Sequence, residues 1–168
     1  KNISYSFSRA YFREKFENEK ITDTTYENFD IDTIDLFPSI IKNTKNLKGL
    51  NVTIPFKEAV IPFLDKINKK AKAIGAVNTI KITKKGKLIG YNTDYIGFKE
   101  SLNNLLPISK KNALVLGTGG ASKAILYALK SLNYKVTQVS REKKEGITTY
   151  AELNKEVMIQ NQLIINCT

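Results

Sequence analysis

The chain has 168 residues, 42% hydrophobic and 26% charged, a composition typical of a globular protein, and no apolar run approaches the roughly 18 residues of a membrane-spanning helix. The absence of histidine and the single cysteine, Cys167, exclude Ser-His-Asp and Cys-His catalysis, disulfide frameworks and zinc sites, and fit a cytoplasmic protein without a metal. The net charge of +11 comes from scattered lysines with only three arginines, which argues against a nucleic-acid partner.

Apolar spacing predicts alternating short helices and strands over the first two thirds of the chain. The predicted helices cover residues 9–19, 35–42 with Pro38 in the first turn, 55–67 starting at Pro55, and 95–106 with Ile96, Phe98, Leu102 and Leu105 facing inward. The predicted strands cover residues 26–31, 47–54, 76–82 and 88–91, the last two as a hairpin around 84–87, and residues 107–112 are the predicted linker.

A different pattern follows this linker. It consists of a strand at 113–116, a glycine-rich turn at 117–121, a helix at 122–132 and a second strand at 136–139. Such a turn lets the backbone approach a pyrophosphate at the helix N-terminus, which favours a dinucleotide-binding site over a plain structural turn. Arg141, next to Ser140 at the end of the second strand, can hold a 2′-phosphate and so favours NADP, although Glu142 argues against it.

Both ends of the chain interrupt an element. The sequence starts at Lys1 inside a strand-like stretch, and the apolar run at 163–165 predicts a buried strand. A parallel strand normally continues into a crossover helix. We therefore expect the chain to be part of a longer protein and to be poorly active by itself.

Six segments, in order and in register, resemble the shikimate dehydrogenase family. They are Ser6-Phe7-Ser8, Asn51-Val52-Thr53-Ile54-Pro55-Phe56-Lys57, Gly75-Ala76-Val77-Asn78-Thr79, Gly90-Tyr91-Asn92-Thr93-Asp94, Gly117-Thr118-Gly119-Gly120-Ala121-Ser122 and Asn166-Cys167-Thr168. The resemblance implies an α/β fold with a substrate-binding domain at 1–94, a connecting helix and linker at 95–112, and an incomplete NADP-binding Rossmann domain at 113–168.

The resemblance also implies an activity and roles for single residues. The activity is the reversible NADPH-dependent reduction of 3-dehydroshikimate to shikimate, in the pathway to chorismate and the aromatic amino acids. The implied catalytic residues are Lys57 and Asp94. The implied substrate-binding residues are Ser6, Ser8, Asn51, Thr53, Asn78 and Asp94, and the implied cofactor-binding residues are Gly117, Thr118, Gly119, Gly120, Ala121, Ser140, Arg141, Asn166, Cys167 and Thr168.

Physical chemistry supports part of this assignment. Ser6 and Ser8 would face the same side of an extended segment and could grip the substrate carboxylate together. Lys57 would lie in the first turn of the helix from Pro55, whose positive end disfavours an ammonium, while a nearby carboxylate favours it. Either member of the Lys57–Asp94 pair could carry the proton.

Alternatives remain open. Tyr5 and Arg9 stand where many family members have histidine and proline, so Arg9 could add a cation to the carboxylate site. A dehydrogenase acting on quinate with NAD is a near alternative, and a non-catalytic basic module that binds a dinucleotide or a nucleic acid is a distant one. A homodimer is a further open expectation.

Overall fold

The computed structural model describes Ile3, residues 6–105 and residues 111–168. The chain forms two compact units, Lys1–Leu47 and Lys48–Thr168. Within the described residues, no helix is both long enough and apolar enough to cross a membrane.

The first unit consists of helices and an irregular connection. Helix α1 spans Phe7–Asn18, a 3₁₀ turn spans Ile34–Leu36, and helix α2 spans Phe37–Asn43 with a proline at its start. Both predicted helices are thus confirmed, and each observed boundary lies within two residues of the predicted one. The structure assigns no strand at 26–31 among the residues it describes; there Tyr26 stacks on Phe12 with ring centroids 4.7 Å apart.

The second unit begins with a four-stranded mixed sheet. Its strands are β1 (Gly49–Asn51), β2 (Lys66–Ile67), β3 (Thr79–Ile82) and β4 (Leu88–Tyr91), in the order β1-β3-β4-β2, with helix α3 (Lys69–Ile74) after β2. The predicted hairpin is confirmed, since β3 pairs antiparallel with β4 and Gly86 has φ +76° in the connecting turn. The strand predicted at 47–54 is shorter than expected and ends at Asn51.

The helix predicted from Pro55 is wrong. Residues 54–60 form successive turns, and a 3₁₀ turn at Ile61–Phe63 leads into β2. In an α-helix the carbonyl of Lys57 would accept from the amide of residue 61. Instead it accepts from Val77 at 2.7 Å, and the Ile61 amide donates to Glu58 at 3.1 Å. A contact with a distant segment therefore replaces the helical bond.

The rest of the second unit is built on a parallel sheet. Its strands are β5 (Asn112–Leu116), β6 (Lys135–Ser140), β7 (Thr148–Thr149) and β8 (Leu163–Asn166), in the order β7-β6-β5-β8. Three helices accompany it: α4 (Asp94–Asn103), α5 (Gly120–Ser131) and α6 (Lys155–Gln160), and a 3₁₀ turn spans Tyr150–Glu152. The predicted strand, glycine turn, helix and strand are confirmed.

Some burial expectations in this region are wrong. Leu102 of α4 is buried, but Ile96 and Leu105 are 40% and 60% exposed. In β8 the strand is confirmed, yet Ile164 is 47% exposed, because side chains alternate along a strand and its neighbours Leu163 and Ile165 are the ones that pack against the apolar cluster around β5. Of the linker predicted at 107–112, residues 107–110 lie outside the described residues, and Asn112 already belongs to β5.

Two apolar clusters hold the second unit together. The larger one joins α4, β5 and α5 through Leu102, Ala113, Val115 and Leu129. The smaller one joins α3 to α5 and consists of Ile74, Ala76 and Ala124, covered by Tyr95 and Tyr127. The start of α5 therefore packs against the segment around Ala76.

Candidate active site

Lys57 and Asp94 meet, although they are 37 residues apart in the sequence. The Lys57 Nζ donates to Asp94 Oδ2 at 2.8 Å, and the two side chains are 14% and 31% exposed. Lys57 comes from the turns after β1, and Asp94 is the first residue of α4. Partial burial lowers the screening by water, so this pair can hold a proton at a defined place. The expected effect of a helix N-terminus on Lys57 is wrong, since no helix forms there.

Asn78 fixes the other oxygen of the carboxylate. Its Nδ2 donates to Asp94 Oδ1 at 2.7 Å and to the Thr93 hydroxyl at 3.0 Å, while its Oδ1 accepts from the Thr93 amide at 2.8 Å. Both carboxylate oxygens of Asp94 are thus engaged, one by an ammonium and one by an amide. This arrangement orients the carboxylate and keeps Asn78 beside the pair.

Asn92 supports the same carboxylate from behind. Its side chain is buried at 4% exposure, and its Oδ1 accepts from the amides of Asp94 at 3.1 Å and Tyr95 at 3.4 Å. Its Nδ2 donates to the Ala76 carbonyl at 3.0 Å. Asn92 therefore ties the start of α4 to the segment between α3 and β3.

Asn51 and Thr53 lie beside Asn78. Asn51 pairs with Thr79 in the β1–β3 ladder, and the amide of Val52 donates to the Asn78 carbonyl at 2.7 Å. Asn51 and Thr53 are both exposed. The structure therefore brings these two predicted substrate-binding residues near Asn78. All three belong to the same unit as Lys57 and Asp94.

The first serine motif is not extended as expected. Ser6 is the N-cap residue of α1 and has β-region angles, but Ser8 is the second residue of the helix. Residues of a helix point in directions about 100° apart per position, so the same-side argument for Ser6 and Ser8 is wrong. Arg9, considered as a cation for the substrate, is paired with Glu27 at 3.0 Å.

The turn at 117–121 has the geometry of an anion-binding turn. Gly117 has φ +114°, a left-handed conformation that suits glycine, and its amide donates to the Val139 carbonyl at 2.9 Å. Gly119 is the N-cap of the twelve-residue helix α5, and among the described residues no side chain caps its first amides. Those free amides and the helix dipole fit a pyrophosphate.

The end of β6 fits a 2′-phosphate. Ser140 is buried and its hydroxyl accepts from the Glu142 amide at 3.2 Å, whereas Arg141 is exposed and has no ion-pair partner in the part of the chain that the structure describes. Nearby, Lys143 forms an ion pair with Glu152. This lysine and the Thr149 amide lower the pKa of Glu152 from 4.5 to about 2.

The last three residues lie next to the glycine turn. The Cys167 amide donates to the Leu116 carbonyl at 2.8 Å, and a Cβ added at Gly117 would lie 2.8 Å from the Cys167 carbonyl oxygen. The amide and hydroxyl of Thr168 donate to Asn166 Oδ1. Burial raises the pKa of the Cys167 thiol. Residues 166–168 and 117–121 thus lie together at the carboxyl ends of the neighbouring strands β8 and β5.

Sequence reasoning did not single out Asn92 as a site residue. The motif that contains it was noticed, but its burial and its bond to Ala76 depend on the packing of α4 against the segment after α3. A signal was nevertheless present: an asparagine before a helix commonly accepts a hydrogen bond from the amide two residues further on, as in an Asx turn.

Fold and site together define an α/β protein whose second unit carries a Rossmann-type sheet with a glycine-rich turn between its first strand and helix. Residues 1–80 match the family model of the shikimate dehydrogenase substrate binding domain. The chain belongs to the shikimate dehydrogenase family.

Three similar proteins illustrate the relationship. A shikimate dehydrogenase (NADP(+)) from Aquifex aeolicus is 46% identical over a match that covers 73% of this chain and 48% of the relative's length. A shikimate dehydrogenase (NADP(+)) from Clostridium botulinum strain Loch Maree is 41% identical over a match that covers 100% of this chain and 68% of the relative's length. The structure of shikimate 5-dehydrogenase from Thermus thermophilus in complex with NADP(H) and shikimate has a TM-score of 0.83 and 30% identity, and covers 99% of this chain and 65% of that one. The chain thus spans about half the length of the Aquifex relative.

Proposed function

We propose that the protein catalyses the reversible, NADPH-dependent reduction of 3-dehydroshikimate to shikimate, a step towards chorismate and the aromatic amino acids. The observation that carries the proposal is the Lys57–Asp94 pair, with the stem of Lys57 against the first residue of the helix that follows the dinucleotide-binding turn. This contact supports a site in which the proton-handling groups lie next to the bound dinucleotide. The Thermus thermophilus relative, which binds NADP(H) and shikimate, supports the same pairing of ligands.

The proposed chemistry divides between cofactor and protein. When bound, the reduced nicotinamide supplies a hydride to the carbonyl carbon. The Lys57 ammonium donates a hydrogen bond to the carbonyl oxygen and gives it a proton as the alcohol forms; in the oxidation direction the neutral amine takes that proton back. Asp94 orients the ammonium and accepts a hydrogen bond from a substrate hydroxyl. A protein without histidine can perform acid–base catalysis in this way.

The proposed substrate contacts are polar side chains around the Lys57–Asp94 pair. We propose that Asn78 and Asp94, with Asn51 and Thr53 beside them, bind the ring hydroxyls. Neutral donors and acceptors suit hydroxyl groups because each hydroxyl both donates and accepts. Ser6 and Ser8 remain the proposed carboxylate contacts on the basis of the family motif. The domain limits 1–94, 95–112 and 113–168, a homodimer and a cytoplasmic location belong to the same proposal.

The proposed cofactor is NADP. The amides at 117–121 would hold the pyrophosphate, and Ser140 and Arg141 would hold the 2′-phosphate. Residues 166–168 would contact the cofactor beside the turn. The support for NADP is the exposed Arg141 guanidinium, which can form two charge-assisted hydrogen bonds to a phosphate. Quinate oxidation with NAD is the second candidate, and the same guanidinium argues against it.

The test is an assay of shikimate and quinate oxidation by the complete natural protein with NADP⁺ and with NAD⁺. We expect turnover of shikimate with NADP⁺. Lys57→Ala should lower kcat by about 10² to 10⁴-fold, because a positioned acid–base group contributes that much. Lys85→Ala, which removes an exposed lysine from the β3–β4 turn, is the matched control and should leave kcat unchanged. Absence of turnover with both cofactors, or full activity of Lys57→Ala, would refute the proposal.

A further inference from the structure

Gly120, the first residue of α5, lies against the side chain of Lys57. A Cβ added at Gly120 would be 3.1 Å from Lys57 Cβ, 3.6 Å from Lys57 Cδ and 3.7 Å from Ala76 Cβ. The first of these distances is shorter than an ordinary carbon–carbon contact of about 3.5–4.0 Å. A side chain at position 120 would therefore fit only if Lys57 gave way by a few tenths of an ångström.

The three glycines of the turn differ in what requires them. Gly117 has φ +114°, so its backbone conformation favours glycine. A Cβ added at Gly119 would meet nothing within 4 Å, and Gly119 has φ −79°, which any residue adopts. Gly120 has no left-handed conformation either. Steric contact with Lys57 is what distinguishes Gly120 from Gly119.

The Lys57 side chain has little freedom to move away. Its backbone is held by the 2.7 Å bond from the Val77 amide to its carbonyl, and its Nζ is held by Asp94 at 2.8 Å. Asp94 is in turn fixed by Asn78. A stem held at both ends can yield to a new methyl group only by shifting the backbone or by moving the ammonium from its carboxylate.

We propose that Gly120 is a positioning residue for Lys57: it leaves open the space in which the lysine stem lies, so that the ammonium reaches Asp94. This inference rests on the proposed function for its catalytic meaning. It assigns to Gly120 a role in the acid–base pair, where the sequence pattern alone suggests only close approach of a pyrophosphate.

The test compares Gly120→Ala with Gly119→Ala in the complete protein. In Gly120→Ala we expect kcat to fall about 3- to 10-fold, because the lysine must give way by a few tenths of an ångström whereas a misplacement of about 1 Å costs about 10²-fold, while NADPH affinity changes by less than about twofold. The amine of Lys57 should also react faster with acetic anhydride, read out by mass spectrometry against the other lysines. Gly119→Ala should leave the labelling rate of Lys57 as in the wild type.

Labelling and nucleotide affinity are measured without turnover, so they judge this inference even if the wild-type protein proves inactive and the proposed function fails. Weaker NADPH binding by Gly120→Ala with an unchanged labelling rate of Lys57 would overturn the inference. If Gly120→Ala does not fold, Lys57→Gly/Gly120→Ala is compared with Lys57→Gly, because glycine at position 57 lacks the Cβ that the added methyl group would meet at 3.1 Å. Equal NADPH affinity of these two variants supports the inference, and weaker binding by the double variant overturns it.

Discussion

Replacement of Asn92 by alanine tests how the site is held together. This buried side chain makes three hydrogen bonds, two from the amides at the start of α4 and one to the Ala76 carbonyl. Asn92→Ala leaves that carbonyl without its partner in a buried place, and it leaves two helix amides without theirs. The change therefore affects stability and the position of Asp94 together.

The size of the effect follows from these bonds. Loss of a side chain that caps helix amides costs about 1 kcal/mol, and a buried carbonyl left unsatisfied costs about 1–3 kcal/mol. We expect Asn92→Ala to lower the free energy of unfolding by about 2–4 kcal/mol, a large part of the stability of an ordinary domain. At temperatures where the variant remains folded, kcat should fall as well, because the backbone of Asp94 loses its support.

The measurement is urea unfolding followed by circular dichroism, with Asn103→Ala as the matched control. Asn103 is exposed at the other end of α4, and its side chain makes no hydrogen bond within the described part of the chain. Its replacement should change the free energy of unfolding by no more than about 0.5 kcal/mol. A loss below about 0.5 kcal/mol in Asn92→Ala as well would show that the three bonds carry little net free energy.

Two further predictions concern the nucleotide-binding half. Arg141→Ala should weaken NADPH binding about 10- to 100-fold without affecting NADH, because hydrogen bonds to a charged group contribute about 1.5–3 kcal/mol; equal losses for both nucleotides in a fluorescence titration would contradict a 2′-phosphate contact. The lowered pKa of Glu152 means that its charged form stabilises the fold above pH 4.5 and that this contribution disappears as the pH falls towards 2. The stability difference between wild type and Glu152→Gln should therefore shrink over that range in pH-dependent thermal melts, and a constant difference would exclude the Lys143–Glu152 contact as its source.

Local sequence patterns predicted an element correctly where the element depends on contacts between residues close in the sequence. The glycine turn, with the strand before it and the helix after it, depends on residues within a few positions of each other, and so does the hairpin around Gly86. The segment from Pro55 has a helical apolar pattern as well. There, however, the Lys57 carbonyl bonds to Val77, a partner that no local pattern contains.

The same distinction applies to the candidate site. The sequence determined the available chemistry: without histidine, a Lys, Asp, Glu, Tyr or Cys side chain must handle the proton, and the motifs with Lys57 and Asp94 supply a lysine and a carboxylate. Only the tertiary structure decided that these two groups meet at 2.8 Å, that Asn92 is buried behind them, and that Gly120 lies against the lysine stem. Composition and short-range spacing follow from the chain itself, whereas contacts over tens of residues depend on the packing of the whole unit.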